Sequence, residues 1–335
     1  MIKRIPRIWR VAVCLLALGA CARPYTITVS PAEPGATLQT VFVATQQRVS
    51  PTGDITYDDR PEAAAFAQIA VAIPPDHVIG EIENIYDPSR GFTMPRYTPQ
   101  DRDTFIAALD AGPGDEILIY VHGYNTTTTE AVFRFAQMSH DFGFENTTAV
   151  FSWASAGVPA GYVYDRDSVL FARDDLAGLL ADISRFSNKS ITIIAHSLGS
   201  QLIMETMRQL AIAGKTSVLD DIGTVVLFSP DIDPDIFRRQ VATIGARRNP
   251  YIMLTNSADQ ALGMSSLLVG GRTKLGQLAE SDAIADLDVV IIDLTQMSSL
   301  AHLGHMVAAT SPSAIRLLRQ ISETGDLATL DAGLQ

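Results

Sequence analysis

The sequence predicts an α/β fold: a mostly parallel, doubly wound sheet with helices on both faces. Three observations predict it. From Glu116 onward the apolar segments are continuous runs rich in Ile and Val: "EILIYVHG", "TTAVFSW", "ITIIAHS", "GTVVLFSPD", "YIMLTNS" and "LDVVIIDL". Parallel strands covered on both faces have this pattern, whereas half-exposed strands alternate polar and apolar residues. Amphipathic helical stretches lie between those runs. The 335-residue chain is 47% hydrophobic, enough for one large or two medium cores.

The first twenty residues stand apart from the fold. "MIKRIPRIWR" carries Lys3, Arg4, Arg7 and Arg10, and "VAVCLLALGA" follows as a short apolar run. A charged segment followed by an apolar one is the plan of a secretory signal. The run is too short for a bilayer, which needs about 20 apolar residues. Leu18-Gly19-Ala20-Cys21 resembles a bacterial lipobox. That resemblance implies a signal peptide over 1–20, lipid on Cys21, and a bacterial envelope protein facing the periplasm or the exterior. A lipidated cysteine of this kind carries several acyl chains, which anchor firmly where one holds only marginally. Ala22 rather than Asp leans the expectation toward the outer membrane. Cys14 would leave with the signal and Cys21 would be capped, so no disulfide is expected.

Residues 21–38 are punctuated by proline and read as a tether, and 39–335 as a single domain. "TVFVATQ" near Val41 and "AQIAVAIP" near Ile69 read as strands extending one edge of the sheet, where antiparallel pairing is admissible. "SPTGDITYDDRPE" and "DPSRGFTMPRYTPQ" read as loops. Helices are expected over roughly 128–142, 168–184 and 200–213. The third of these carries Leu202, Ile203, Met207, Leu210 and Ala211 on one face, with Gly214 as its stop. A last helix begins at Ser311-Pro312, a capping serine with proline in the first turn. "AGKTS" contains Gly-Lys-Thr, but position 209 is Gln and a helix precedes it, so it is no phosphate loop.

A formal charge of −12 excludes a nucleic-acid partner, which needs a basic face. In open α/β sheets, sites form beyond the carboxyl ends of the strands. Those ends hold His122-Gly123-Tyr124-Asn125, then His196-Ser197-Leu198-Gly199, then Asp231, Asp259, and a loop with His302 and His305. Serine, acid, histidine, each after a strand, is the chain order of an α/β-hydrolase triad. "AHSLGS" approximates the G-x-S-x-G elbow, with Ala195 in place of the first glycine. Strand and helix crowd the positions two before and two after the serine, so small residues belong there. Ser197 is therefore the candidate nucleophile; the competing reading is a helix cap.

A serine hydroxyl needs an adjacent base. The six histidines are 77, 122, 140, 196, 302 and 305. His77 lies in an early loop, His140 on a helix that reads as surface, and His122 at a strand end. His196 adjoins Ser197, but an elbow would point it away. His305 is preferred as base because Gly304 frees its loop; His302 is the alternative. A metal on this H-x-x-H pair is not expected, since no Cys or acidic cluster accompanies it, and no cofactor is expected. Asp259 is preferred as the acid that holds the base in its tautomer, with Asp231 the alternative. Asp233 reads as a helix cap before Pro234. Backbone N–H groups of Leu198 and Tyr124 are the candidate oxyanion donors, with Gly123 allowing close approach.

"YVHGYN", "FSWASAG", "AHSLGS", "SPDID" and "NSADQAL" stand in order, after "VFVATQ" and "VAIPPDHVIGEIE". Together they resemble the bacterial α/β-hydrolases of the domain-of-unknown-function 900 group, in the esterase/lipase superfamily. The resemblance spans roughly 40–320 and implies carboxylic-ester hydrolysis through an acyl-enzyme, with no defined substrate. Ala154 stands where the group usually has proline. The expected substrate is a small-molecule or lipid ester, and the expected membrane contact is the N-terminal lipid. "LGMSSLLVGGRTKLGQL" could cap an apolar acyl pocket. Two alternatives stand beside this reading: a non-catalytic envelope lipoprotein that uses the fold for binding, and an acyltransferase or peptidase on the same triad.

Overall fold

The computed structural model describes residues 29–49, 55–56, 60–61, 63–83, 91–278, 284–297 and 301–324. The signal segment, Cys21 and the first part of the tether lie outside the described residues. The tether reading ends early. Val29 forms a parallel bridge with Met94, the Ser30 N–H donates to the Met94 carbonyl at 3.1 Å, and β1 begins at Thr37.

Nine strands form one sheet in the order β11-β10-β9-β8-β6-β7-β1-β4-β5. They are β1 (Thr37–Thr45), β4 (Ala65–Ile73), β5 (Thr93–Gln100), β6 (Glu116–Val121), β7 (Thr147–Ser152), β8 (Ser190–His196), β9 (Ile222–Phe228), β10 (Tyr251–Thr255) and β11 (Val289–Asp293). A separate two-stranded ribbon pairs β2 (Arg48–Val49) with β3 (Ile55–Thr56), the latter inside a stretch read as loop. From β6 to β11 all pairings are parallel. β1 and β4, the two early runs, extend this side of the sheet as expected: β1 runs parallel to β7 and antiparallel to β4, and β5 adds antiparallel beyond β4. β5 itself was read as loop because it contains Pro95 and Pro99. Both are admissible on an edge strand, where one side of the backbone needs no ladder bond.

The helices are α1 (Arg102–Ala111), α2 (Thr128–Phe142), α3 (Tyr162–Phe186), α4 (Leu198–Ile212), α5 (Thr216–Asp221), α6 (Pro234–Ile244), α7 (Gln260–Leu268), α8 (Val307–Thr310) and α9 (Pro312–Thr324). α3 starts six residues before the expected helix. Gly161 precedes it without any side-chain cap, so the sequence marks no start there. α2 carries a full capping box between Thr127 and Glu130, and Gly143 closes it at φ 70°.

Two cores explain the continuous apolar strands. Ile117, Ile119, Val121, Ile191 and Ile193 point into one, beside Leu176, Leu180, Leu202 and Ile203 of α3 and α4. Leu118, Tyr120, Val150 and Ile194 point into the other, beside Val132, Phe135 and Ala136 of α2 and Ala314 of α9. β6 and β7, in the middle of the sheet, are thus buried on both faces along almost their whole length.

Candidate active site

The elbow lies at the carboxyl end of β8, the neighbour of the central strand β6. β8 ends at His196 and α4 starts at Leu198, so Ser197 alone turns the chain. It adopts φ 55° and ψ −121°, a left-handed conformation that a non-glycine residue takes only when its surroundings enforce it. Its side chain makes no capping hydrogen bond, so the helix-cap reading has no support in the geometry. The backbone is pinned on both sides. The Ser197 N–H donates to the Phe228 carbonyl at 2.9 Å, and the Ser197 carbonyl accepts from the Asp231 N–H at 3.3 Å. A Cβ on Gly199 would stand 2.4 Å from the carbonyl oxygens of Val121 and His122, so this position admits only glycine. Ala195 is fully buried and its methyl is accommodated.

The structure brings His305 and Asp259 together. His305 Nδ1 lies 2.6 Å from Asp259 Oδ2. Asp259 caps α7, its other oxygen accepting the Leu262 N–H at 2.9 Å, and its side chain is wholly buried. Asn256 supports the same loop: its amide donates to the Gly304 carbonyl at 2.7 Å. Leu303 and Gly304 both have positive φ, which bends the loop back toward β10. The ring of His305 packs 4.6 Å from that of His196, next to Ser197. His196 was expected to point away from Ser197; its ring lies beside that of His305, tilted by 55°. Burial holds the His196 imidazole well below its ordinary pKa, so it is a neutral packing partner. His302 lies in the turn Ala301–Gly304, but its side chain is outside the described residues.

Asp231, the alternative acid, is engaged elsewhere. Its carboxylate pairs with Lys274 Nζ at 2.8 Å and accepts the Tyr162 hydroxyl at 2.9 Å. The lysine contact is an ion pair whose angles fall short of a hydrogen bond. Asp233 caps α6 ahead of Pro234, as read from the sequence.

Leu198 is the first residue of α4, so its N–H has no partner within the helix and sits at the positive end of the helix dipole. Tyr124 follows Gly123 at the end of β6, and its hydroxyl donates to the Pro159 carbonyl. Asp165 organises this loop. Its buried carboxylate accepts from Asn125 N–H at 3.0 Å, Ala156 N–H at 2.7 Å and the Ser155 hydroxyl at 2.7 Å. Burial raises its pKa despite these bonds. Beneath the loop His122 is fully buried and stacked on Trp153 at 5.0 Å. Its Nδ1 faces the Gly123 carbonyl at 2.9 Å and its Nε2 the Ser152 hydroxyl at 3.2 Å, which together fit a neutral ring protonated at Nδ1. Burial pushes its pKa down to about 4.

Sequence reasoning missed Asp165, Lys274 and Asn256. Asp165 left one signal, an acidic residue in a first helical turn; the others left none. Among the described residues one cluster has the donor set for a metal ion, His77, His140 and Asp141, and it includes none of these groups.

A family model described as alpha/beta hydrolase of unknown function (DUF900) matches residues 99–321. No curated protein matches the chain. Among solved structures, dienelactone hydrolase from Anabaena variabilis is 13% identical, covers 85% of this chain and 95% of its own, and superposes with a TM-score of 0.42. Lipase B of Aspergillus fumigatus is 14% identical over 70% of this chain and 62% of its own, with a TM-score of 0.45. An esterase from Pyrobaculum calidifontis is 12% identical over 99% and 100%, with a TM-score of 0.35. Likeness at this level carries no inference about activity or substrate.

Proposed function

The chain belongs to the DUF900 family of α/β-hydrolases, and from that premise we propose that it is a serine hydrolase acting on carboxylic esters. Ser197 Oγ attacks the ester carbonyl while His305 takes its proton. Asp259 holds the His305 tautomer that leaves Nε2 as the accepting nitrogen and stabilises the imidazolium. The N–H groups of Leu198 and Tyr124 receive the oxyanion. The intermediate collapses, His305 returns the proton to the leaving alkoxide, and an acyl-serine remains. Water, deprotonated by His305, then releases the carboxylic acid and restores Ser197.

The observation that carries this reading is the 2.6 Å His305–Asp259 contact, with the His305 ring 4.6 Å from that of His196, the neighbour of the positive-φ Ser197. Exposed Met264, Leu267 and Leu268 on α7, the helix capped by Asp259, support an ester with an apolar acyl group. The test is turnover of p-nitrophenyl esters from acetate to dodecanoate, with fluorophosphonate labelling alongside. Ser197→Ala should lower kcat by at least about 10³ and abolish labelling, since the nucleophile acts as a unit with its base. An unlabelled wild type would favour the binding role, and unchanged turnover in Ser197→Ala would remove the assignment.

We also propose that lipid on Cys21 holds this domain to the bacterial envelope, more readily at the outer than at the inner membrane. The order Leu18-Gly19-Ala20-Cys21 and the residue Ala22 support it. No helix among the described residues is long and apolar enough to cross a membrane. Cys21→Ser should lose incorporation of labelled palmitate and leave the membrane fraction; continued labelling would refute the anchor.

A further inference from the structure

A second cluster of chemistry-bearing side chains lies apart from the elbow, where the 74–83 loop meets the C-terminal end of α2. His77 comes from the loop; His140 and Asp141 are consecutive on the helix. One donor atom from each lies within 4.8 Å of the other two. The rings of His77 and His140 are 5.3 Å apart, nearly edge to face. His77 Nε2 is 2.8 Å from Asp141 Oδ1.

The surroundings of these groups assign each atom a direction. His77 Nδ1 is 2.9 Å from Glu83 Oε1, which leaves Nε2 as the nitrogen facing the cluster. Asp141 Oδ2 accepts the Gly80 N–H at 2.7 Å and the Gln137 amide at 2.5 Å, which leaves Oδ1 facing the cluster. Among the described residues no hydrogen bond reaches the His140 imidazole. An imidazole whose far nitrogen is held by a carboxylate, beside a carboxylate whose far oxygen is held by amides, is the outer shell that orients metal ligands. Two imidazoles and one carboxylate select a transition metal over magnesium or calcium.

We propose that His77 Nε2, His140 and Asp141 Oδ1 form a site for one divalent transition-metal ion of the zinc class, which staples the 74–83 loop to α2. Zinc ligands stand about 2.0–2.1 Å from the ion and so about 3.3 Å from one another. The His77–Asp141 contact therefore opens by roughly half an ångström, and the half-buried His140 ring turns inward to complete three ligands. The competing arrangement is a protonated His77 bridging Glu83 and Asp141. It leaves the His140 imidazole, 5.3 Å from the His77 ring, with no role in the cluster. The staple also bears on the far end of the chain. A Cβ on Gly80 would stand 2.4 Å from the Thr310 carbonyl, so the loop lies directly against α8, which starts two residues after His305.

The full chain, stripped with EDTA and dialysed against zinc chloride, tests this by metal analysis and calorimetric titration. Wild type should bind one zinc per chain and melt at a higher temperature with zinc than without it. His140→Ala, at a half-buried ring, should fold normally without metal and bind zinc at least tenfold more weakly. Glu83→Gln, outside the ligand set, should weaken binding by about 10–100-fold. Magnesium chloride should produce no melting shift. Wild type that binds no zinc, or zinc affinity unchanged in both variants, would overturn the site.

Discussion

Asp231 and Asp259 show how two aspartates of similar sequence context acquire opposite roles. Each follows a parallel strand closely and each is almost fully buried. One faces a lysine and a tyrosine; the other faces a histidine. Asp259→Asn preserves the shape but stabilises the wrong imidazole tautomer and cannot balance an imidazolium. It should lower kcat by about 10⁴ with little loss of stability. Asp231→Asn leaves the Lys274 ammonium buried without its counter-charge. It should cost about 3–5 kcal/mol in stability, read as a lower urea midpoint, while kcat per folded molecule stays within a few-fold. Steady-state kinetics and urea melts on both variants distinguish the two positions. The reverse pattern would exchange their roles.

At the scale of elements, the elbow depends on an asymmetry between its two small positions. Gly199 faces backbone carbonyls that cannot move without breaking the β6 end, while Ala195 lies within the β8 ladder and its methyl enters the core. The sequence asks for small residues at both positions, and the packing shows that the one two after the serine is the strict one. What was legible follows from where the signal is local. Strands buried on both faces announce themselves as Ile/Val runs, and α2 carries its own capping box. α1 was legible but passed over: Asp101 caps it, and Phe105, Ile106 and Leu109 fall on one buried face. β5 was hidden by its prolines. The residues that shape the site were hidden by distance, since Asn125 meets Asp165 across 40 positions and Tyr162 meets Asp231 across 69. Such partners are set by the sheet order, which no window of sequence contains.

For the whole molecule, burying the ends of its central strands makes stability depend on pH. His122 and His196 close β6 and β8 and are both buried with their pKa values depressed, His122 to about 4. In the unfolded chain each titrates near 6.5. Between those values the unfolded state binds protons that the folded state refuses, so stability is complete above about pH 6.5 and falls as pH falls. The other shifted groups do not cancel this. For His77, carboxylate contacts outweigh the burial that lowers its pKa, so its contribution is complete below about 6.5 and constant through the window. Asp165, raised by burial, acts with the opposite sign but only near the carboxylate range. His122 should therefore remove about 2 kcal/mol between pH 6.5 and pH 5, at about 1.4 kcal/mol per pH unit, and His196 adds to the decline with the same sign. Urea melts across that range should show the decline in wild type and a shallower slope in His122→Asn. A flat wild-type profile would mean that these rings accept protons in the folded state. The neutral ring beside His305 would then be a charged one, and the electrostatics of the site would have to be rebuilt around a cation.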